Sequence, residues 1–305
     1  MKGEEALARA LLAATDSRYA VPGYPITGLF ALCGAEMVVN EKTGLEYALG
    51  DSLSGRRAAL IAKSVGVNAC IDPLVEATVQ GLSGGVILVA GDDPAATGSQ
   101  VAQDTRIAGE LAEIPVLEPG LENCSRVVEA ALQASAEFSR VAMLRVTPAF
   151  LGSEVTDTPV PRQDSRGELA DRGCTMRGKV TASRRLFSKM RDWALRSPLN
   201  SWKGGVAGIG AMPGETRVVT VYPTPRRLAE YAGVREEGLP FARDHCRHGF
   251  LPGTVGEEPE THEGRGYHRT FCRDCPFKPA IALMAEEGMR PVCDAGFIAM
   301  TTHPA

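Results

Sequence analysis

Two hydrophobic rhythms alternate along the first half of the chain. Residues 4–14 carry Leu7, Leu11 and Leu12 at helical spacing, which predicts an amphipathic helix. Residues 19–25 read as a short strand running into a Pro-containing loop, and 40–53 as a helix with small residues at Gly44, Ala48 and Gly50. A continuous apolar run at 58–62 predicts a buried strand. Residues 72–80 predict a helix with Pro73 in its first turn, where the N–H that proline lacks has no helical partner anyway. The clearest strand is 85–90, and it ends in Gly91-Asp92-Asp93-Pro94. A helix at 104–112, a strand at 115–117, a long helix at 124–138 and a strand at 141–146 complete the series. Strands alternating with helices predict an α/β fold, a mainly parallel sheet flanked by helices on both faces. Functional groups then belong on loops at the carboxyl ends of the strands.

The rhythm breaks after that. Residues 152–178 are polar and rich in Pro, Asp and Arg, and read as a linker or exposed loop. A smaller α/β unit follows, with a helix at 182–195, strands at 205–209 and 217–222, and a helix at 226–231. Residues 253–266 are Gly- and Glu-rich and predict an exposed loop, and 279–287 give one more short helix. The chain thus divides into an α/β domain over 1–155, a linker and small α/β domain over 156–235, and a C-terminal segment over 236–305.

Composition narrows the function classes. At 305 residues, with 44% hydrophobic and 23% charged residues, the chain is an ordinary globular protein of two or three domains. A formal charge of -4 supplies no general attraction for nucleic acid or an anionic membrane. No apolar run reaches the length of a membrane span. The acidic start, Met1-Lys2-Gly3-Glu4-Glu5, is unlike a secretion signal. The expected compartment is the cytoplasm. Four of the eight cysteines, Cys246, Cys272, Cys275 and Cys293, fall in the C-terminal segment with all five histidines. In a reducing compartment such clustering points to metal or redox chemistry before disulfides.

Eight strings in the first domain carry a resemblance. They are Gly23-Tyr24-Pro25-Ile26-Thr27, Asn40-Glu41-Lys42, Gly50-Asp51-Ser52-Leu53-Ser54-Gly55, Lys63-Ser64-Val65-Gly66-Val67-Asn68, Asp72-Pro73-Leu74, Asp92-Asp93-Pro94, Ser99-Gln100 with Gln103-Asp104-Thr105-Arg106, and Ile114-Pro115-Val116-Leu117-Glu118-Pro119. Their order and spacing resemble the pyrimidine-binding domain of the large subunit of indolepyruvate ferredoxin oxidoreductases, which belong to the thiamine-diphosphate 2-oxoacid:ferredoxin oxidoreductases. Phe271-Cys272-Arg273-Asp274-Cys275-Pro276 is similar to the segment that opens the family's diphosphate-binding domain.

The resemblance implies roles. Glu41 would be the carboxyl group that exchanges a proton with the cofactor's pyrimidine nitrogen and so activates it. On spacing alone, Glu41 is equally a solvated acid at a helix N-terminus. Thr27 would contact the substrate carboxylate, and Tyr24, Pro25 and Gly66 would border the cofactor. The segment 63–68, with Asn68, would face cofactor or substrate. The family usually has Pro and two Ser after the Thr, where this chain has Gly28-Leu29-Phe30, and His where it has Ser64. Asp92-Asp93-Pro94 reads as a loop-shaping element.

The family holds the diphosphate through magnesium on a second domain marked by Gly-Asp-Gly and Asn-Asn. No Gly-Asp-Gly occurs here, so that domain is expected on a partner chain. Cys272-x-x-Cys275, with Cys293 and Cys246, is open between a 4Fe-4S cluster, a zinc site and unligated thiols. The expected function is a subunit of a thiamine-diphosphate-dependent oxidoreductase that passes electrons from a 2-oxoacid to ferredoxin or another iron-sulfur subunit. A non-oxidative 2-oxoacid decarboxylase subunit and a non-catalytic scaffold reusing the fold are the alternatives.

Overall fold

The computed structural model describes residues 1–94, 96–99 and 101–199, together with short segments at 201–203, 208–209, 217–219 and 278–289. The first domain is a six-stranded, wholly parallel sheet in the order β2-β1-β3-β4-β6-β5. Its strands are β1 (Ser17–Ala20), β2 (Glu36–Met37), β3 (Ala58–Lys63), β4 (Val86–Gly91), β5 (Val116–Leu117) and β6 (Ala142–Val146). The apolar runs of β3 and β4 lie at its centre, where both faces are covered, and every residue of β4 is buried.

Side-chain alternation splits the core in two. Ala59, Ile61, Ile87, Val89 and Leu144 face one side, against Leu7 and Leu11 of α1 (Gly3–Ala14) and Val127, Val128 and Ala131 of α7 (Cys124–Glu137). Leu60, Ala62, Leu88, Ala90 and Met143 face the other, against Leu45 and Ala48 of α3 (Glu41–Leu53), Leu74 of α5 (Ile71–Gln80) and Ala108 of α6 (Arg106–Leu111). Three short helices carried too few residues to show a period: α2 (Thr27–Leu32), α4 (Ser64–Val67) and α8 (Pro148–Gly152). The two-residue strand β2 was hidden for the same reason.

Residues 153–174 are largely exposed, as expected of a loop, yet they are pinned across the amino ends of the strands. Arg162 pairs with Asp16 just before β1 (2.7 Å), and Gly167 N–H donates to Ser83 O before β4 (2.9 Å). Arg57, at the foot of β3, pairs with Glu129 (2.9 Å) and donates to Ser165 Oγ (2.9 Å).

One expectation needs correction. The helix placed at 182–195 begins earlier, as α9 (Met176–Arg196), because the Thr175 hydroxyl accepts from Gly178 N–H (3.0 Å) and caps it there. Nor does it stand with the smaller unit. Phe187, Met190 and Trp193 pack on Ala134 and Phe138 at the end of α7. Buried Arg140 fastens the junction by donating to Glu113 O (2.6 Å) and Ser183 O (2.8 Å). A small sheet, β7-β9-β8, is formed by β7 (Ser201–Lys203), β8 (Gly208–Ile209) and β9 (Arg217–Val219), with β7 antiparallel and β8 parallel to β9. A helix, α10 (Lys278–Glu286), matches the short helix expected near 279–287. The helix expected at 226–231, the loop at 253–266 and Cys246, Cys272, Cys275 and Cys293 lie outside the described residues.

Candidate functional site

The carboxyl ends of β1, β3 and β4 face three loops, and these loops bring the resembling strings together. Tyr24 and Pro25, joined by a cis peptide bond, lie on the loop after β1. Lys63 to Asn68 follow β3, and Asp92 to Thr105 follow β4. Asn40 and Glu41 enter from β2, where the Asn40 side chain accepts from Thr43 N–H (2.9 Å) and starts α3.

Glu41 is half-buried, and its carboxylate lies directly on Gly66. A Cβ at Gly66 would stand 2.1 Å from Glu41 Oε1, so only glycine leaves room for this approach. Cys70 is buried behind it. Burial pushes the Cys70 thiol up to about 12, and the carboxylates of Glu41 and Glu46 push the same way.

A cleft of about 160 Å³ opens at the same end of the sheet, lined by Tyr24, Lys63, Ser64, Val65, Gly98 and Ser99, with Glu41 and Gly66 outside its lining. Tyr24 and Gly98 touch across it, since a Cβ at Gly98 would come within 2.8 Å of the Tyr24 ring. The Tyr24 hydroxyl hydrogen-bonds Thr97 Oγ1 (3.1 Å). Pro25 packs under the cleft against Gly91, at the end of β4.

The loop after β4 is held from within. Burial works against ionisation of Asp93, but its bonds to the N–H groups of Gly98 (2.8 Å) and Ser99 (2.9 Å), to the N–H of Thr97 and to the Thr97 hydroxyl (2.9 Å) outweigh it. They hold its carboxyl at about 2. Asp92 accepts from Thr105 N–H (2.9 Å) and pairs with Arg145 of β6, which also reaches Glu118 (2.8 Å). Arg106 is paired with Asp104. These groups shape the loop, as the sequence suggested for Asp92 and Asp93.

The remaining sequence candidates stand apart from the cleft. Thr27 is the exposed first residue of α2 and is not among the lining residues. Asn68 is exposed and exchanges two amide hydrogen bonds with Gln103 (2.8 and 3.2 Å), whose Nε2 also donates to Ser64 O (3.0 Å). Gly98 was not singled out by sequence reasoning. Nothing local marks it, because its value is its closeness to Tyr24 across the fold.

Comparison with known proteins bears on this arrangement. No family model matches the chain. It is 35% identical over 179 residues to the indolepyruvate oxidoreductase subunit IorA of Pyrococcus horikoshii, which covers 54% of this chain and 28% of that protein. Against the subunit of the same name from Archaeoglobus fulgidus it is 40% identical over 131 residues, 38% of this chain and 21% of the other. The chain therefore spans about a quarter of the length of the curated relatives it matches. A 2-oxoglutarate:ferredoxin oxidoreductase from Magnetococcus marinus shares the fold, with a TM-score of 0.56 over 94% of this chain and 64% of that one, at 12% identity. The helix-flanked parallel sheet thus has the fold of that oxidoreductase, and about half of the chain is similar in sequence to the indolepyruvate oxidoreductase subunits. No helix among the described residues is long and apolar enough to cross a membrane.

Proposed function

We propose that this chain is the pyrimidine side of a thiamine-diphosphate-dependent 2-oxoacid:ferredoxin oxidoreductase, built like the indolepyruvate type and completed by a diphosphate-binding partner chain. The observation that carries the proposal is the Glu41 carboxylate seated on Gly66, in the loops at the carboxyl ends of the central strands. The residues present fit the pyrimidine end of the cofactor. Glu41 would meet the ring nitrogen, and Tyr24, Pro25 and Gly66 would border it.

When bound, thiamine diphosphate supplies the carbon nucleophile that attacks the oxoacid carbonyl. Glu41 would hold and return a proton at a carboxylate oxygen, and closure by the partner would keep water from that exchange. Among the described residues no three His, Cys, Asp or Glu side chains converge as metal ligands. In this reading magnesium and the diphosphate lie on the partner. Exposed apolar residues support a partner on the Glu41 side. Met37 is 68% exposed and Val39 84% exposed at the sheet edge, immediately before the Asn40 cap.

The test is Glu41→Gln in the chain purified with its native partners. Oxoacid-dependent reduction of ferredoxin should be lost almost completely while the complex still assembles. Undiminished turnover defeats the proposal. Iron and sulfide analysis of the anaerobically purified complex separates it from non-oxidative decarboxylation, in which no cluster is needed.

A further inference from the structure

The cleft at the carboxyl end of the sheet is lined by a cation that no ion pair uses. Nearby cations are committed: Lys42 to Asp72, Arg106 to Asp104, and Arg145 to Asp92 and Glu118. Lys63 has no ion-pair partner among the described residues, and it lines the cleft. Its aliphatic stem lies over Gly23, where an added Cβ would stand 2.7 Å from Lys63 Cδ. The bare glycine gives the stem its track. The carboxylate in the adjoining loop, Asp93, accepts from Thr97, Gly98 and Ser99 and makes no ion pair with Lys63. Ser64, Ser99, Tyr24 and Val65 line the cleft with Lys63.

We infer that Lys63 reads the carboxylate of a short-chain 2-oxoacid of pyruvate size in this cleft, an inference that rests on the oxoacid function proposed above. An ammonium without an ion-pair partner, in a cleft that two serines also line, suits a carboxylate through charge-assisted hydrogen bonds. The volume admits a ligand of that size. A cavity of about 150 Å³ admits benzene, which has as many non-hydrogen atoms as pyruvate. The cleft here is about 160 Å³. An indole ring attached to the same oxoacid would extend beyond it.

The experiment is ligand-observed NMR on the full chain with pyruvate, using indole-3-pyruvate and inorganic phosphate as competitors. The wild-type chain should bind pyruvate, and Lys63→Met should weaken binding roughly tenfold or more while Lys63→Arg keeps most of it. Both competitors should displace pyruvate poorly. Ser99→Trp fills the cleft from its exposed rim and should also abolish binding, which covers the case in which Lys63→Met fails to fold. No pyruvate binding by the wild-type chain, equal binding by folded Lys63→Met, or displacement by phosphate or indole-3-pyruvate at pyruvate's own concentration overturns the inference. Glu41→Gln runs alongside and should still bind pyruvate. If Lys63→Met binds normally while Glu41→Gln abolishes turnover, this inference fails and the thiamine function stands. If Lys63 controls pyruvate binding while Glu41→Gln turns over fully, the thiamine function fails and the carboxylate site stands.

Discussion

Glu41 and Gly66 come from different elements, and their contact depends on the absence of one methyl group. Restoring it with Gly66→Ala puts a Cβ 2.1 Å from Glu41 Oε1, and the carboxylate must move. Glu41 is half-buried and its side chain can swing aside, so the cost in stability should stay below the ~1–3 kcal/mol of core overpacking. A urea melt should show no larger loss, and kcat of the assembled enzyme should fall more than the substrate KM rises. Cysteine chemistry gives a second residue-scale prediction. Burial pushes the thiols of Cys33, Cys70 and Cys124 up to about 11, about 12 and about 12. The thiolate is the reactive form. Peptide mapping after alkylation at pH 8 should therefore find these three unlabelled in the folded protein and labelled once it is denatured.

The strap at 153–174 is the element whose sequence says least about its structural role. Its Pro, Asp and Arg content marks it as exposed, which it largely is. Its attachments are buried at both ends of the stretch: Val155 lies in the core, Asp157 accepts from Ser125 N–H (2.9 Å), and an ion pair lies further along. Glu129 receives Arg57 Nη1 (2.9 and 3.1 Å) and the N–H of Gln163 (2.9 Å), and both charged side chains are almost fully buried. Removing one partner of such a pair strands the other charge, at a cost of about 3–5 kcal/mol. Glu129→Ala should lower urea stability by that amount and make the chain after Arg162 more sensitive to trypsin. If stability is unchanged, Arg57 has found another acceptor and the strap does not depend on the ion pair.

At the scale of the molecule, two carboxylates set an acid limit. Hydrogen bonding from Arg162 holds Asp16 at about 2 against the opposing effect of burial, and Asp93 is held at about 2 by the bonds of its own loop. Both values lie below that of an unfolded aspartate, 3.8. The folded state therefore binds fewer protons than the unfolded one between these values. Their stabilisation is fully present above about pH 4 and is lost as pH falls through about 2. Calorimetric Tm should drop across that window. In Asp16→Asn and Asp93→Asn variants Tm should be lower at neutral pH and the acid drop shallower. An equally steep drop in both variants would place the acid sensitivity elsewhere.

The sequence alone determined the parallel helix-flanked sheet, the order of its longer elements and the strings that belong at one end of it. Apolar periodicity and loop chemistry are local properties, and runs such as 58–62 and 85–90 are long enough to display them. Two-residue β2, the short helices α2 and α4, and the early start of α9 at Thr175 escaped because a few residues show no period. Only the tertiary structure decided that Glu41 rests on Gly66, that Lys63 crosses Gly23 into a cleft, and that Thr27 and Asn68 stand outside it. Those are contacts between loops from different strands, set by how the sheet aligns their ends, and no pattern along the chain encodes the distance between them.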